Sequence, residues 1–71
     1  MPDILPQQRL LLELLVMSGD IAIAEDIKGT ILERTLEECE KNGWIKRAHF
    51  GAGFSKTTIT ESGRLLAHET H

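Results

Sequence analysis

The stretch Gly43-Trp44-Ile45-Lys46-Arg47-Ala48-His49-Phe50-Gly51-Ala52-Gly53-Phe54-Ser55-Lys56-Thr57-Thr58-Ile59-Thr60 decides the fold. It reads with a period of two, rich in aromatic and β-branched residues, and a glycine-bounded tetrapeptide interrupts it at Gly51–Phe54. Two strands, Trp44–Phe50 and Ser55–Thr60, joined by a tight turn make a β-hairpin. Everything upstream of Gly43 reads instead with helical spacing.

Immediately before the hairpin, Thr30 is placed to cap a helix over about Ile31–Asn42, ended by Gly43 in a left-handed C-cap. Its inward positions at 3.6-residue spacing are Leu32, Thr35, Leu36 and Cys39. Further upstream, Asp20 is the expected N-cap of a short helix, Ile21–Ile27, with Ile23, Ala24 and Ile27 inward. A first helix is expected over Pro6–Ser18, opened by Pro6 and stopped by Gly19. Its broad apolar face holds Leu10, Leu11, Leu14, Leu15 and Met17; Leu12 and Val16 flank the polar stripe of Arg9 and Glu13. That surplus of apolar surface reads either as contact with the chain's own last helix or as a homodimer seam through Leu12 and Val16. After the hairpin, Thr60 caps a final short helix from Glu61 to about Ala67, with Leu65 and Leu66 turned to the core.

Seventy-one residues make one domain, with its core over about 6–67 and residues 68–71 a frayed tail. Cys39 is the only cysteine, so no internal disulfide forms, and the lone thiol fits a reducing cytoplasm. It reads as a small buried hydrophobe. The longest apolar run, within Leu10–Met17, is too short to span a bilayer and is broken by Glu13, so no membrane partner is expected. His68-Glu69-Thr70-His71 lacks the histidine spacing of a zinc helix, and no metal or other cofactor is expected. No nucleophile–base pair, phosphate loop or carboxylate pair emerges, so neither an enzyme nor a small-molecule substrate is expected.

Formal net charge is −3, from eleven acids and eight bases, but it is unevenly spread. Residues 1–40 hold nine acids against Arg9, Lys28 and Arg34, a balance of −6. Residues 41–71 hold Lys41, Lys46, Arg47, Lys56 and Arg64 against Glu61 and Glu69, a balance of +3. An anionic partner is therefore expected on the C-terminal half.

Three local patterns carry a resemblance. Cys39-Glu-Lys-Asn-Gly43-Trp44-Ile45 resembles the "Leu-Glu-x-x-Gly-Leu-Ile" junction between a recognition helix and a wing. Ile59-Thr-Glu-Ser-Gly63-Arg64-Leu65 resembles the "Leu-Thr-x-x-Gly-Arg" step out of the wing, and Ile23-Ala-Glu-Asp-Ile27 resembles "Leu-Ala-x-x-Leu" of a second helix. Together they are similar to winged helix-turn-helix bacterial transcriptional regulators of the MarR or PadR sort. The resemblance covers about residues 8–67. It implies an α+β, mainly α fold: a three-helix helix-turn-helix core, a β-hairpin wing and a short C-terminal helix. The turn between the second and third helices is shorter than the family pattern. No ligand pocket or dimer architecture is carried over.

The resemblance also implies a small DNA-binding transcriptional regulator, its third helix in the major groove of double-stranded DNA and its wing on the backbone. On the third helix, Arg34 is placed to read a guanine, Thr30 to meet a phosphate or thymine methyl, and Lys41 to lie near the backbone. Lys46, Arg47, His49 and Lys56 supply the wing, with Lys46 pointing opposite to Arg47 and His49. Arg64 adds a contact or pairs with Glu61. Glu37 and Glu38 on the same helix repel phosphate, and pairs Arg34–Glu38 and Glu37–Lys41 make the alternative a solvated face. Those acids also motivate the second functional reading, a winged-helix protein–protein interaction module without DNA binding. Trp44 and Phe50 are expected in the core, bracing the wing.

Overall fold

The computed structural model describes residues 4–69. It contains α1 (Pro6–Ser18), β1 (Ile21–Ala24), α2 (Ile31–Lys41), β2 (Ile45–His49), β3 (Phe54–Ile59) and α3 (Glu61–Glu69). The strands form one antiparallel sheet in the order β1-β3-β2. The chain is thus a small α+β protein, with α1 packed on α2, α3 and β3.

Helix α1 starts at Pro6, whose missing N–H is no loss in a first turn. Gln8 closes that turn by accepting the Leu5 N–H at 3.0 Å. Its amide then donates to Glu38 Oε1 at 2.8 Å, tying α1 to α2 through a buried side chain. Helix α2 begins at Thr30, whose hydroxyl accepts from the Glu33 N–H at 3.1 Å, while the Glu33 carboxylate accepts from the Gly29 N–H at 2.9 Å. Gly43, at φ 78°, turns the chain out of α2 in the left-handed conformation that its lack of a β-carbon permits.

The expected helix at Ile21–Ile27 does not form. Ile21–Ala24 is strand β1, paired with β3 in the register Ile21↔Thr57 to Ala24↔Phe54. Two isoleucines alternating with alanines suit a half-buried strand as well as a short helix, and β3 otherwise has an unpaired edge. Asp20 accordingly caps nothing; it lies 3.2 Å from Lys56 Nζ on the paired strand. Residues 25–30 connect β1 to α2 without regular helix, so there is no helix-turn-helix pair. Ile23 and Ile27 still pack against the core.

The buried core is Leu11, Leu12, Leu15, Leu36, Cys39, Trp44, Ile45, Ile59 and Ala67. Trp44 and Cys39 lie where the sequence placed them. Helix α1 is rotated from the expected orientation: Gln8, Leu11, Leu12 and Leu15 face in, while Leu10, Leu14 and Met17 face out. Both faces carry leucines at helical spacing, so periodicity alone does not choose between them. Leu12 is fully buried and Val16 packs against the core, so neither offers the expected dimer seam. Leu32, expected inside, is 40% exposed. Phe50 and Leu65, also expected inside, are 56% and 60% exposed. Phe50 stands past the end of β2 at the hairpin turn, and Leu65 lies on the outer side of α3, whose core contacts come from Leu66 and Ala67. The expected tail is helical through Glu69, and residues 70–71 lie outside the described residues.

Candidate nucleic-acid interface

Helix α2 and the hairpin are joined by three residues, Asn42, Gly43 and Trp44. The joint is held by main-chain bonds: Trp44 N–H donates to Cys39 O at 2.9 Å, and Thr60 N–H donates to Trp44 O at 2.9 Å. Thr60 Oγ1 donates to Gly43 O at 2.6 Å and accepts from Gly63 N–H at 3.1 Å. The hydroxyl therefore caps α3 and pins the end of α2 at once. These bonds tie helix, hairpin and final helix together at one corner.

Cross-strand partners share a sheet face, which fixes where the hairpin cations point. Arg47 is opposite Thr57 and His49 opposite Ser55, on the face that also carries Ile45 and Ile59. Lys46 is opposite Thr58 and Lys56 opposite Ala48, on the other face. The expected split of Lys46 from Arg47 and His49 is observed.

Carboxylates meet most of these cations. Arg47 Nε and Nη2 both approach Glu40 Oε1, at 3.2 and 3.1 Å. His49 Nδ1 is 2.6 Å from Glu25 Oε2, which also accepts from Ser55 Oγ at 2.7 Å. Those two hydrogen bonds, His49 first, hold the Glu25 carboxyl below its ordinary range. Lys56 pairs with Asp20 on the opposite face. Glu25, Glu33 and Glu40, with Arg47, His49 and Ser55, line a groove between α2 and the sheet floored by Ile23, Ile27 and Leu36.

The remaining candidates are differently placed. Arg34 and Lys41 are exposed on α2, seven residues apart and hence on one stripe. Lys46 and Arg64 are exposed on β2 and α3. None of the four has a carboxylate within 4.0 Å among the described residues. Thr30 uses its hydroxyl to cap α2 and to bond Ile27 O. Glu38 is drawn off the outer stripe by Gln8, so only Glu37 stands among the exposed cations of α2.

Sequence reasoning missed the acids that neutralise the hairpin. Glu25 and Glu40 lie far from His49 and Arg47 in sequence, and only the pairing of β1 with β3 and the lie of α2 bring them together. No protein-family model matches the chain, and no curated protein matches it.

Proposed function

We propose that the chain is a small DNA-binding regulator of the winged-helix kind, with α2 in the major groove and the β2–β3 hairpin along the backbone. Regulation would follow from occupying an operator, by competing with or recruiting the transcription machinery. The observation that carries this reading is the set of exposed, unpaired cations, with Arg34 and Lys41 on one stripe of α2 and Lys46 on β2, on the sheet face opposite Arg47. The order β1-β3-β2, with a helix feeding straight into the hairpin, supports the same reading. The ion pairs of Arg47 and Lys56 do not oppose it strongly. The Lys56 pair is exposed and the Arg47 guanidinium is half-buried against an exposed Glu40; surface pairs contribute roughly 0–1 kcal/mol, so phosphate can displace the carboxylate.

The test is a titration of random-sequence duplex at two salt concentrations, followed by chemical-shift changes. Binding should weaken steeply with salt through counterion release, and the variant Arg34→Ala/Lys41→Ala/Lys46→Ala should lose it while staying folded. Affinity that is the same at both salts, or absent at both, would overturn the reading.

The acidic groove favours a second reading, an interaction module that meets a basic patch on another protein. Glu25, Glu33 and Glu40 gather along one side of α2, where a duplex would be repelled. A triple variant that leaves duplex binding unmoved would select this reading.

A further inference from the structure

The outward stripe of α1 is apolar from end to end. Leu10, Leu14 and Met17, at i, i+4 and i+7, are 68%, 48% and 83% exposed. Beside them at the start of α2 stand Ile31 and Leu32, 73% and 40% exposed. Leu10, Leu14, Ile31 and Leu32 line one almost wholly apolar groove with Gln7 and Leu11. A contiguous patch of this kind, on the order of a few hundred Å², is of the size that marks an interaction surface on a small protein.

We infer that this stripe is the seat of a two-fold dimer, covered by α1 of a second copy of the chain running antiparallel. The charges beside the stripe choose the occupant. Arg9 and Glu13 flank Leu10 on one edge and line a shallow cleft with it. Neither has an ion-pair partner within 4.0 Å among the described residues, although they stand one helical turn apart. An antiparallel pairing with its axis at the level of Leu12 sets Leu10 against the partner's Leu14. In that pairing Arg9 lies about 3 Å along the axis from the level of the partner's Glu13, on the same edge and within reach of its long side chain, and two-fold symmetry makes each contact twice. Met17 then reaches Gln7 of the partner subunit, closing the groove at both ends. The edge of the stripe is self-complementary in charge. Apolar surface of a few hundred Å² from each copy, with that rim, approaches the ~800 Å² per partner of a standard interface.

The inference is independent of DNA binding. The test is sedimentation equilibrium of the whole chain from micromolar to millimolar concentration, without nucleic acid. The mass should rise from the 7.9 kDa of one chain to twice that value. Leu14→Glu should remain monomeric with an unchanged circular dichroism spectrum; Met17→Glu, at a more exposed position, repeats the test should Leu14→Glu fail to fold. Arg9→Glu should weaken association about tenfold or more by facing two carboxylates, and Arg9→Glu/Glu13→Arg should restore it. The variant Arg34→Ala/Lys41→Ala/Lys46→Ala should dimerise as the parent does, which separates this inference from the DNA reading. A wild-type mass that stays monomeric throughout overturns it, as when another protein covers the patch. So does a dimer indifferent to both Leu14→Glu and Arg9→Glu.

Discussion

Gly63 lies against the carbonyl of Trp44 so closely that a β-carbon at position 63 would stand 2.2 Å from that oxygen and 3.0 Å from Ile59 Cγ1. The same oxygen accepts the Thr60 N–H. Two short patterns on either side of the hairpin, Gly43-Trp44-Ile45 and Ile59-Thr60-x-x-Gly63, are therefore halves of one joint. Threonine supplies the hydroxyl that spans it, and glycine supplies the room.

Replacing Gly63 with alanine must move backbone, because the obstructing atom is a carbonyl and not the end of a flexible side chain. Gly63→Ala should cost about 1–3 kcal/mol, the range for overpacking a close-packed site. Ser62→Ala, at an exposed neighbour, should change little. Thermal unfolding followed by circular dichroism compares the two.

That joint was legible in the sequence because its chemistry is local and residue-specific. A helix cap, a left-handed glycine and a hydroxyl before a helix each need particular residue types at fixed spacing. The first helix, the hairpin and the last helix were readable for the same reason. What was not readable depended on distant partners. Ile21-Ala-Ile-Ala has the composition of either element, and the edge of β3 made it a strand. Leu10, Leu14 and Met17 are as apolar as Leu11, Leu12 and Leu15, and only the packing of α1 on α2 and α3 decided which stripe went inside. In the candidate interface the cations were found, but not the acids that answer them. Glu40 reaches Arg47 across the joint, and Glu25 reaches His49 only because β1 is a strand.

Thr57 is fully buried at the centre of β3, and its Oγ1 has no hydrogen-bond partner among the described residues. A buried hydroxyl without a partner loses its hydration and gains nothing in return. Thr57→Val keeps the shape and the β-branching, and should raise stability by roughly 1 kcal/mol, seen as a higher urea midpoint at unchanged slope. A lower midpoint would show that the hydroxyl is bonded.

Glu40 holds the Arg47 guanidinium at 3.1 Å, and a phosphate must displace it to reach that side chain. If the duplex reading is right, Glu40→Gln should tighten binding and steepen the salt dependence by up to about one counterion as Arg47 becomes available. Arg34→Ala should do the opposite, weakening binding and flattening the salt slope. Fluorescence anisotropy of a labelled duplex over a salt series measures both. An interaction module that ignores DNA would show neither change.

Glu25 tests the hydrogen-bonded edge of the groove by pH. Its carboxyl is held low, first by the hydrogen bond with His49 and then by that from Ser55. A carboxylate with a lowered folded-state pKa stabilises the fold above its unfolded value, and that contribution is lost as pH falls through the folded one. A carbon-detected titration should find Glu25 protonating at lower pH than an unperturbed glutamate. His49→Gln and Ser55→Ala should each move its midpoint upward.

Cys39 tests the core from the alkaline side. The thiol is buried between α1, α2 and the sheet corner, and burial, with a smaller contribution from the nearby Glu38 charge, pushes its pKa up to about 11. In the unfolded chain the thiol ionises near its ordinary value of 9.0. The raised folded-state value means the contribution is fully present below that pH and is lost as pH rises toward 11. The loss should be on the order of 2 kcal/mol, and the difference between the stability profiles of the parent and Cys39→Ala isolates it from every other titrating group. At pH 8 the native thiol should resist a thiol-specific reagent, reacting only as fast as the core opens, and Gly63→Ala should speed that reaction by loosening the corner above it. A native thiol that reacts at the rate of a free cysteine would place Cys39 outside the core and remove the reason for its raised pKa.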